Sequence, residues 1–244
     1  MTLGIQLSSF RPYMKDLSGL RHTCRNIAEM GCSVIQAQWM DPSIAPQEAA
    51  RVFQDFGLSS VSVQDYSQEV IDHLAYYVTL NRLTGGRYVT VSRIPAAYHS
   101  LEGMHRWVLA LRGLAAQLAE QDQQLLFHPV LADYGLIEGV SPVDFLLEQC
   151  PSLQLCLDLY HLYKAGHAFS EWIPPRAPRI VMMHCKDERE GHLVPAGQGI
   201  IPLAEAMRIC PSAAYAFVEQ ETWDGDAFAC LQEAYAWGTR IMQV

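Results

Sequence analysis

RIVMMH, residues 179–184, is a short, continuously apolar run that stops on an imidazole. Two similar runs stand either side of it in the chain: LQLCLD (153–158), closing on Asp158, and AAYAFVE (213–219), closing on Glu219. Such runs suit strands covered on both faces in a parallel sheet. In parallel α/β folds, ligands gather at the carboxyl ends of the strands. If the three strands are neighbours, an acid, an imidazole and a second acid converge, which is the composition of a divalent-metal site. Many α/β strands end in an acid, so the weight rests on three compatible donors in succession.

Working outward, five more strand candidates appear: LGIQLS (3–8), SVIQAQW (33–39), SSVSVQ (59–64), RYVTVS (87–92) and QLLFH (124–128). Helical patterns lie between them. Residues 16–30 put Leu17, Leu20, Cys24, Ile27 and Ala28 on one face, with Gly31 as the stop. Residues 100–120 carry an apolar stripe behind Ser100 as N-cap, and Ser141–Pro142 starts another helix with proline at its first position. Residues 202–209 and 226–239 hold the last two. Eight strand–helix alternations predict a (β/α)₈ TIM barrel. With no linker, low-complexity stretch or charge block, the expectation is a single domain over 1–244; a doubly wound open sheet is the alternative architecture.

Composition narrows the function. Half of the 244 residues are hydrophobic and 18% are charged, enough for a sizeable core. A formal net charge of −9 argues against a nucleic-acid partner, whose binding rests on Lys and Arg neutralising phosphates. No apolar run reaches membrane-helix length, and MTLGIQLSSFR lacks the basic start and apolar stretch of a signal peptide. Seven cysteines without a CxxC pair suggest a reducing compartment, so a cytoplasmic protein with no membrane contact is expected. Cys156 and Cys185 read as small buried thiols.

Around the three donors, D-L-Y-H places His161 three residues after Asp158, where it reads as a substrate contact or proton donor. Lys186 and Arg189, following His184, suit an anionic substrate group such as a phosphate or carboxylate. Glu188 and Glu190 read as a solvated loop. Of Glu219 and Glu221, one reaches a metal comfortably, and Glu219 at the strand end is the choice.

The series C-L-D-x-x-H (156–161), M-M-H-C-K-D (182–187) followed by G-Q-G (197–199), and F-V-E-Q-E (217–221) resembles the xylose isomerase-like TIM barrels. That superfamily includes sugar epimerases, hydroxypyruvate isomerase and inosose dehydratase. The resemblance implies that Asp158, His184 and Glu219 are metal ligands and His161 a substrate contact. It also implies a fourth ligand, a Glu associated with strand five, and here the chain departs: Phe127 and His128 stand at the strand end. F-H-P-V-L-A-D-Y-G-L-I-E aligns Glu138 with that ligand if two residues are inserted, with Asp133 as competitor. His128 is expected to contact substrate or to be a satisfied core histidine.

The implied chemistry is metal-dependent isomerisation or epimerisation of a sugar or small hydroxy-ketone, with Glu138 and Glu219 as both ligands and acid–base catalysts. An inosose-type dehydratase is the nearest alternative, and a barrel that binds a metabolite without catalysis is another. One divalent cation is expected, Mn²⁺ or Mg²⁺ ahead of Co²⁺ and Zn²⁺. The partner is then a sugar or keto-polyol, and exposed barrel helices are compatible with a homo-oligomer.

Overall fold

In a computed structural model, which describes residues 1–243, eight parallel strands close into a barrel. They are β1 (Thr2–Gln6), β2 (Val34–Gln38), β3 (Ser59–Tyr66), β4 (Tyr88–Ser92), β5 (Gln124–His128), β6 (Gln154–Asp158), β7 (Ile180–Cys185) and β10 (Tyr215–Val218). Around the barrel the order is β1-β10-β7-β6-β5-β4-β3-β2, so Asp158, His184 and Glu219 come from three adjacent staves. A two-stranded antiparallel hairpin, β8 (Asp187–Arg189) and β9 (His192–Val194), rises directly after β7.

All five helical patterns are helices: α1 (Leu17–Glu29), α5 (Leu101–Ala119), α6 (Pro142–Gln149), α9 (Leu203–Ile209) and α10 (Ala227–Ile241). Four start on a side chain that accepts a backbone N–H: Asp16 from Gly19, Ser100 from Gly103, Ser141 from Asp144 and Asp226 from Ala229. Sequence reading passed over α2 (Pro46–Asp55), α3 (Ser67–Asp72), α4 (Leu74–Thr84), α7 (Leu159–Lys164) and α8 (Phe169–Trp172). Among the described residues no helix is long and apolar enough to cross a membrane.

Strand side chains alternate between the barrel interior and the helical shell. The larger core lies between strands and helices, and a smaller cluster of Leu126, Cys156, Met182 and Phe217 fills the interior. Phe217 fits because Gly4 lies beside it: a Cβ there would meet the ring at 2.7 Å and the Val34 carbonyl at 2.6 Å. The interior is two-sided. Staves β5, β6, β7 and β10 supply that apolar floor, while β1 to β4 point Gln6, Gln36, Ser62, Gln64 and Thr90 inward. Two residues further along β6 and β7, Asp158 lies in register with His184 on top of the apolar floor.

Candidate functional site

Asp158 is the last residue of β6 and the N-cap of α7. Its Oδ1 accepts from the backbone N–H of Tyr160 (2.8 Å) and His161 (3.2 Å), which fixes the carboxyl and leaves Oδ2 facing the barrel mouth. The segment after Asp158 is therefore a helix, and His161 stands one turn up with Nε2 3.8 Å from Asp158 Oδ2. His184 sits fully buried between Asp158 and Glu219, with Nδ1 3.0 Å from Glu219 Oε2. Glu219 Oε1 accepts from the Ser8 hydroxyl at 2.6 Å.

His128, at the end of β5, joins them: its Nε2 lies 3.1 Å from His184 Nδ1 and 3.6 Å from Asp158 Oδ2. One donor atom each from His128, Asp158 and His184 lies within 4.8 Å of the others, and all three residues are buried. Glu219 stands outside that group of three but adjoins it through His184 Nδ1. Asp158 Oδ2 and Glu219 Oε2 are buried yet have no aligned hydrogen-bond partner among the described residues. Such orphaned carboxylate oxygens cost free energy unless a cation faces them. Lys186 partly answers this: its Nζ lies 3.3 Å from Asp158 Oδ2, 3.5 Å from Glu219 Oε1 and 3.0 Å from Glu221 Oε2. Three carboxylates face one ammonium there, a surplus of negative charge that matches a divalent ion. Two imidazoles and two carboxylates are a fitting donor set.

The electrostatics follow. Burial works against charge on Asp158, but Lys186, His161 and His128 outweigh it and hold the carboxyl well below its ordinary range. Glu219 behaves likewise: burial raises it, Lys186 and His184 lower it further, and the net is about 2. Burial pushes His128 down to about 4, so its ring is neutral at pH 7, as a metal ligand requires.

An unforeseen group fixes the His184 ring. Gln36 Oε1 lies 2.6 Å from His184 Nε2 and accepts its N–H, which leaves Nδ1 facing Glu219 and His128. Burial works against charge on this ring, but Cys156 and Glu219 outweigh it and hold its pKa well above the ordinary imidazole range, so a cation at Nδ1 would displace a proton. The carboxamide of Gln36 is itself held: Oε1 accepts from Gln6 (2.8 Å), and Nε2 donates to Ser62 and Gln64 at 3.2 Å. Cys156 Sγ also lies 3.2 Å from Nε2, a thiol close to the site rather than plain packing. Polar residues at alternate positions of otherwise apolar runs, as in VIQAQ, were the available signal.

Other expectations need correcting. Glu138 is exposed on the rim with φ 50°, and its carboxylate accepts from the Leu101 N–H. A tight turn bridged between Ile137 and Val140 turns it outward, away from the cluster. Asp133 is buried, but its oxygens cap the backbone of Ile94 (3.0 Å) and Val130 (2.8 Å). The strand-five position beside the cluster belongs to His128. Arg189 is exposed at the end of β8, where it donates to the Gln198 carbonyl. Glu188 is not solvated: it is buried and paired with Lys164 at 2.9 Å, while Glu190 is exposed. Asp187 organises the G-Q-G segment, its carboxylate accepting from the N–H of Gly197, Gly199 and Ile201.

Three known folds resemble this one closely. A sugar phosphate isomerase/epimerase from Parabacteroides distasonis superposes with a TM-score of 0.80 at 13% identity, over 97% of this chain and 92% of that one. An L-ribulose 3-epimerase gives 0.80 at 18% identity, over 100% and 95%. A probable 3-DHS dehydratase from Bacillus anthracis gives 0.75 at 15% identity, over 98% and 99%. At such identities the likeness concerns the fold. No curated protein matches the chain in sequence. The profile of the xylose isomerase-like TIM barrel family matches residues 4–235, nearly the whole chain, and the protein belongs to that family.

Proposed function

We propose that the protein is a divalent-metal-dependent isomerase or epimerase of a sugar or related hydroxy-ketone, with His128, Asp158, His184 and Glu219 as the ligand set. The observation that carries this is the convergence of three buried donor groups, with Glu219 against His184 and two buried carboxylate oxygens that lack an aligned hydrogen bond. Nitrogen-rich donors favour Mn²⁺, Co²⁺ or Zn²⁺ over Mg²⁺, which prefers oxygen. When bound, the cation supplies Lewis-acid polarisation of a carbonyl and acidifies the neighbouring C–H.

The chain's own groups supply the proton movements. Glu219 follows β10 and His161 follows β6, the two strands that flank β7, so they approach a molecule above His184 from two sides. Burial lowers the His161 pKa, which keeps its ring neutral and able to accept a proton. Its Nδ1 has no partner among the described residues. Proton removal by one group and return by the other, at the adjacent carbon or the opposite face, is isomerisation or epimerisation. Lys186 places a fixed positive charge beside the oxygen on which negative charge develops.

The rim position of Glu138 favours one second reading. Without Glu138 opposite it, Glu219 has no second glutamate as acid–base partner, and loss of a β-hydroxyl after proton removal would make the protein a dehydratase. The two give different products: rearranged polyol in one case, a conjugated enone absorbing in the ultraviolet in the other.

The test is NMR of a panel of ketoses, keto-inositols and hydroxypyruvate in D₂O with Mn²⁺. Deuterium is expected to enter at carbon in an Mn²⁺-dependent manner, with a loss of at least roughly 100-fold in Asp158→Asn. Absence of both exchange and Mn²⁺ binding sinks the proposal.

A further inference from the structure

Across the mouth from the metal-ligand cluster, at the carboxyl ends of β1, β2 and β3, lies a cavity of about 770 Å³. One sugar ring fills only a fraction of that volume, and ligand pockets of this size hold larger molecules. The cavity is joined to the cluster through a short relay: Gln64, on its wall, accepts from Gln36 at 3.2 Å, and Gln36 holds His184.

Its walls combine two kinds of surface. Trp39 and Tyr66 adjoin with ring centroids 5.6 Å apart and planes tilted by 53°, and Trp39 holds φ 54°, a left-handed conformation that a bulky residue rarely adopts. Guanidinium groups already cover these rings, Arg11 over Trp39 at 4.7 Å and Arg93 over Tyr66 at 4.3 Å. Between the aromatics stand acceptors. Asp65 accepts from the Tyr77 hydroxyl at 2.8 Å, and burial raises its pKa. Gln38 is 4% exposed, and its Oε1 has no hydrogen-bond partner among the described residues. A buried carbonyl oxygen of this kind calls for a donor from a ligand.

We infer that this cavity binds the non-reacting half of the substrate, a second neutral sugar ring glycosidically joined to the ketose that reacts at the metal-ligand cluster. This rests on the function proposed above and names its substrate class. A saccharide ring offers a hydroxyl donor for the unpartnered Gln38 oxygen, further donors for the Asp65 carboxylate, which accepts one bond on each oxygen, and apolar C–H faces for the Tyr76 and Tyr77 rings of the wall. A phosphate is a poor occupant, because the cationic side chains Arg11 and Lys15 are exposed while the half-buried charge is the Asp65 carboxylate. Energy from holding the remote ring is available to orient the reacting one.

The experiment has two arms. In the first, Mn²⁺-loaded protein is given D-fructose, isomaltulose, lactulose or fructose 6-phosphate in D₂O, and deuterium incorporation is followed by NMR. At least one glycosylated ketose should exceed fructose in kcat/KM by roughly tenfold or more. Trp39→Ala and Asp65→Asn should each bring that ratio towards one; two variants guard against a folding defect in either. In the second arm, saturation-transfer NMR on metal-free protein should detect cellobiose, with the signal lost in both variants. Cellobiose binding without exchange on any ketose upholds the cavity and removes the reaction proposed above. Equal rates on fructose and the glycosylated ketoses, a preference for the phosphate ester, or no cellobiose binding overturns the cavity's assignment and leaves that reaction standing.

Discussion

Gln36 shows how a residue that touches no substrate can set a site's affinity. It accepts the His184 Nε2–H at 2.6 Å and so selects the tautomer whose Nδ1 faces the carboxylates. Outer partners of this kind typically change metal affinity 10–100-fold. Gln36→Met, similar in bulk but without the acceptor, should weaken Mn²⁺ binding by about that factor in calorimetry while the circular dichroism spectrum is retained; unchanged affinity would remove Gln36 from this role. Asp133 tests a different property. Burial raises its pKa to about 6, against roughly 3.9 in an unfolded chain. Between those values the folded protein holds the proton that the unfolded chain releases. The contribution is therefore present at acid pH and lost as pH rises through 6. Asp133→Asn cannot titrate, so variant stability minus wild-type stability should rise by on the order of 2 kcal/mol from pH 4 to pH 7. Chemical unfolding across that range reads it, and a flat difference contradicts it.

At the scale of elements, the connections after the strands carry the site. Asp158 ends a strand and caps a helix with the same carboxyl, so α7 begins without a linker and delivers His161 to the mouth. The hairpin of β8 and β9 is tied down by Asp187, whose carboxylate gathers the amides of Gly197, Gly199 and Ile201. Gly199 is required there by contact rather than by φ: a Cβ would stand 2.1 Å from Asp187 Oδ1 and 2.3 Å from the Glu188 carbonyl. Gly199→Ala should cost about 1–3 kcal/mol, and it should speed hydrogen exchange at these three amides. Exchange as slow as in the wild type would show that the segment yields without losing its anchor. The sequence motif G-Q-G was visible, but its meaning depended on an aspartate ten residues upstream turning back onto it.

For the molecule as a whole, the barrel concentrates buried charge at one end and accepts the destabilisation this brings. A ligand that binds only the folded state returns that energy by mass action, about 2.7 kcal/mol at 100 times its Kd. Mn²⁺ should therefore raise the melting temperature by roughly 5–10 °C, and Asp158→Asn should abolish the rise. A wild-type transition unmoved by Mn²⁺, Co²⁺ and Zn²⁺ counts against a resident cation.

The eight strands, five of the helices and the alignment of Asp158, His184 and Glu219 on successive staves were legible in the chain, because hydrophobic period and capping are local properties of a few adjacent residues. What lay beyond it was everything that depends on which distant groups meet. Glu138 stood as an acid in the right order, and a four-residue turn sent it to solvent; His128 was expected to touch substrate or to sit satisfied in the core, and closure of the barrel set it against His184. Gln36 and Ser8 reach partners 148 and 211 residues away. Linear order records which strands exist and where they end; only closure of the cylinder decides which side chains face one another across it.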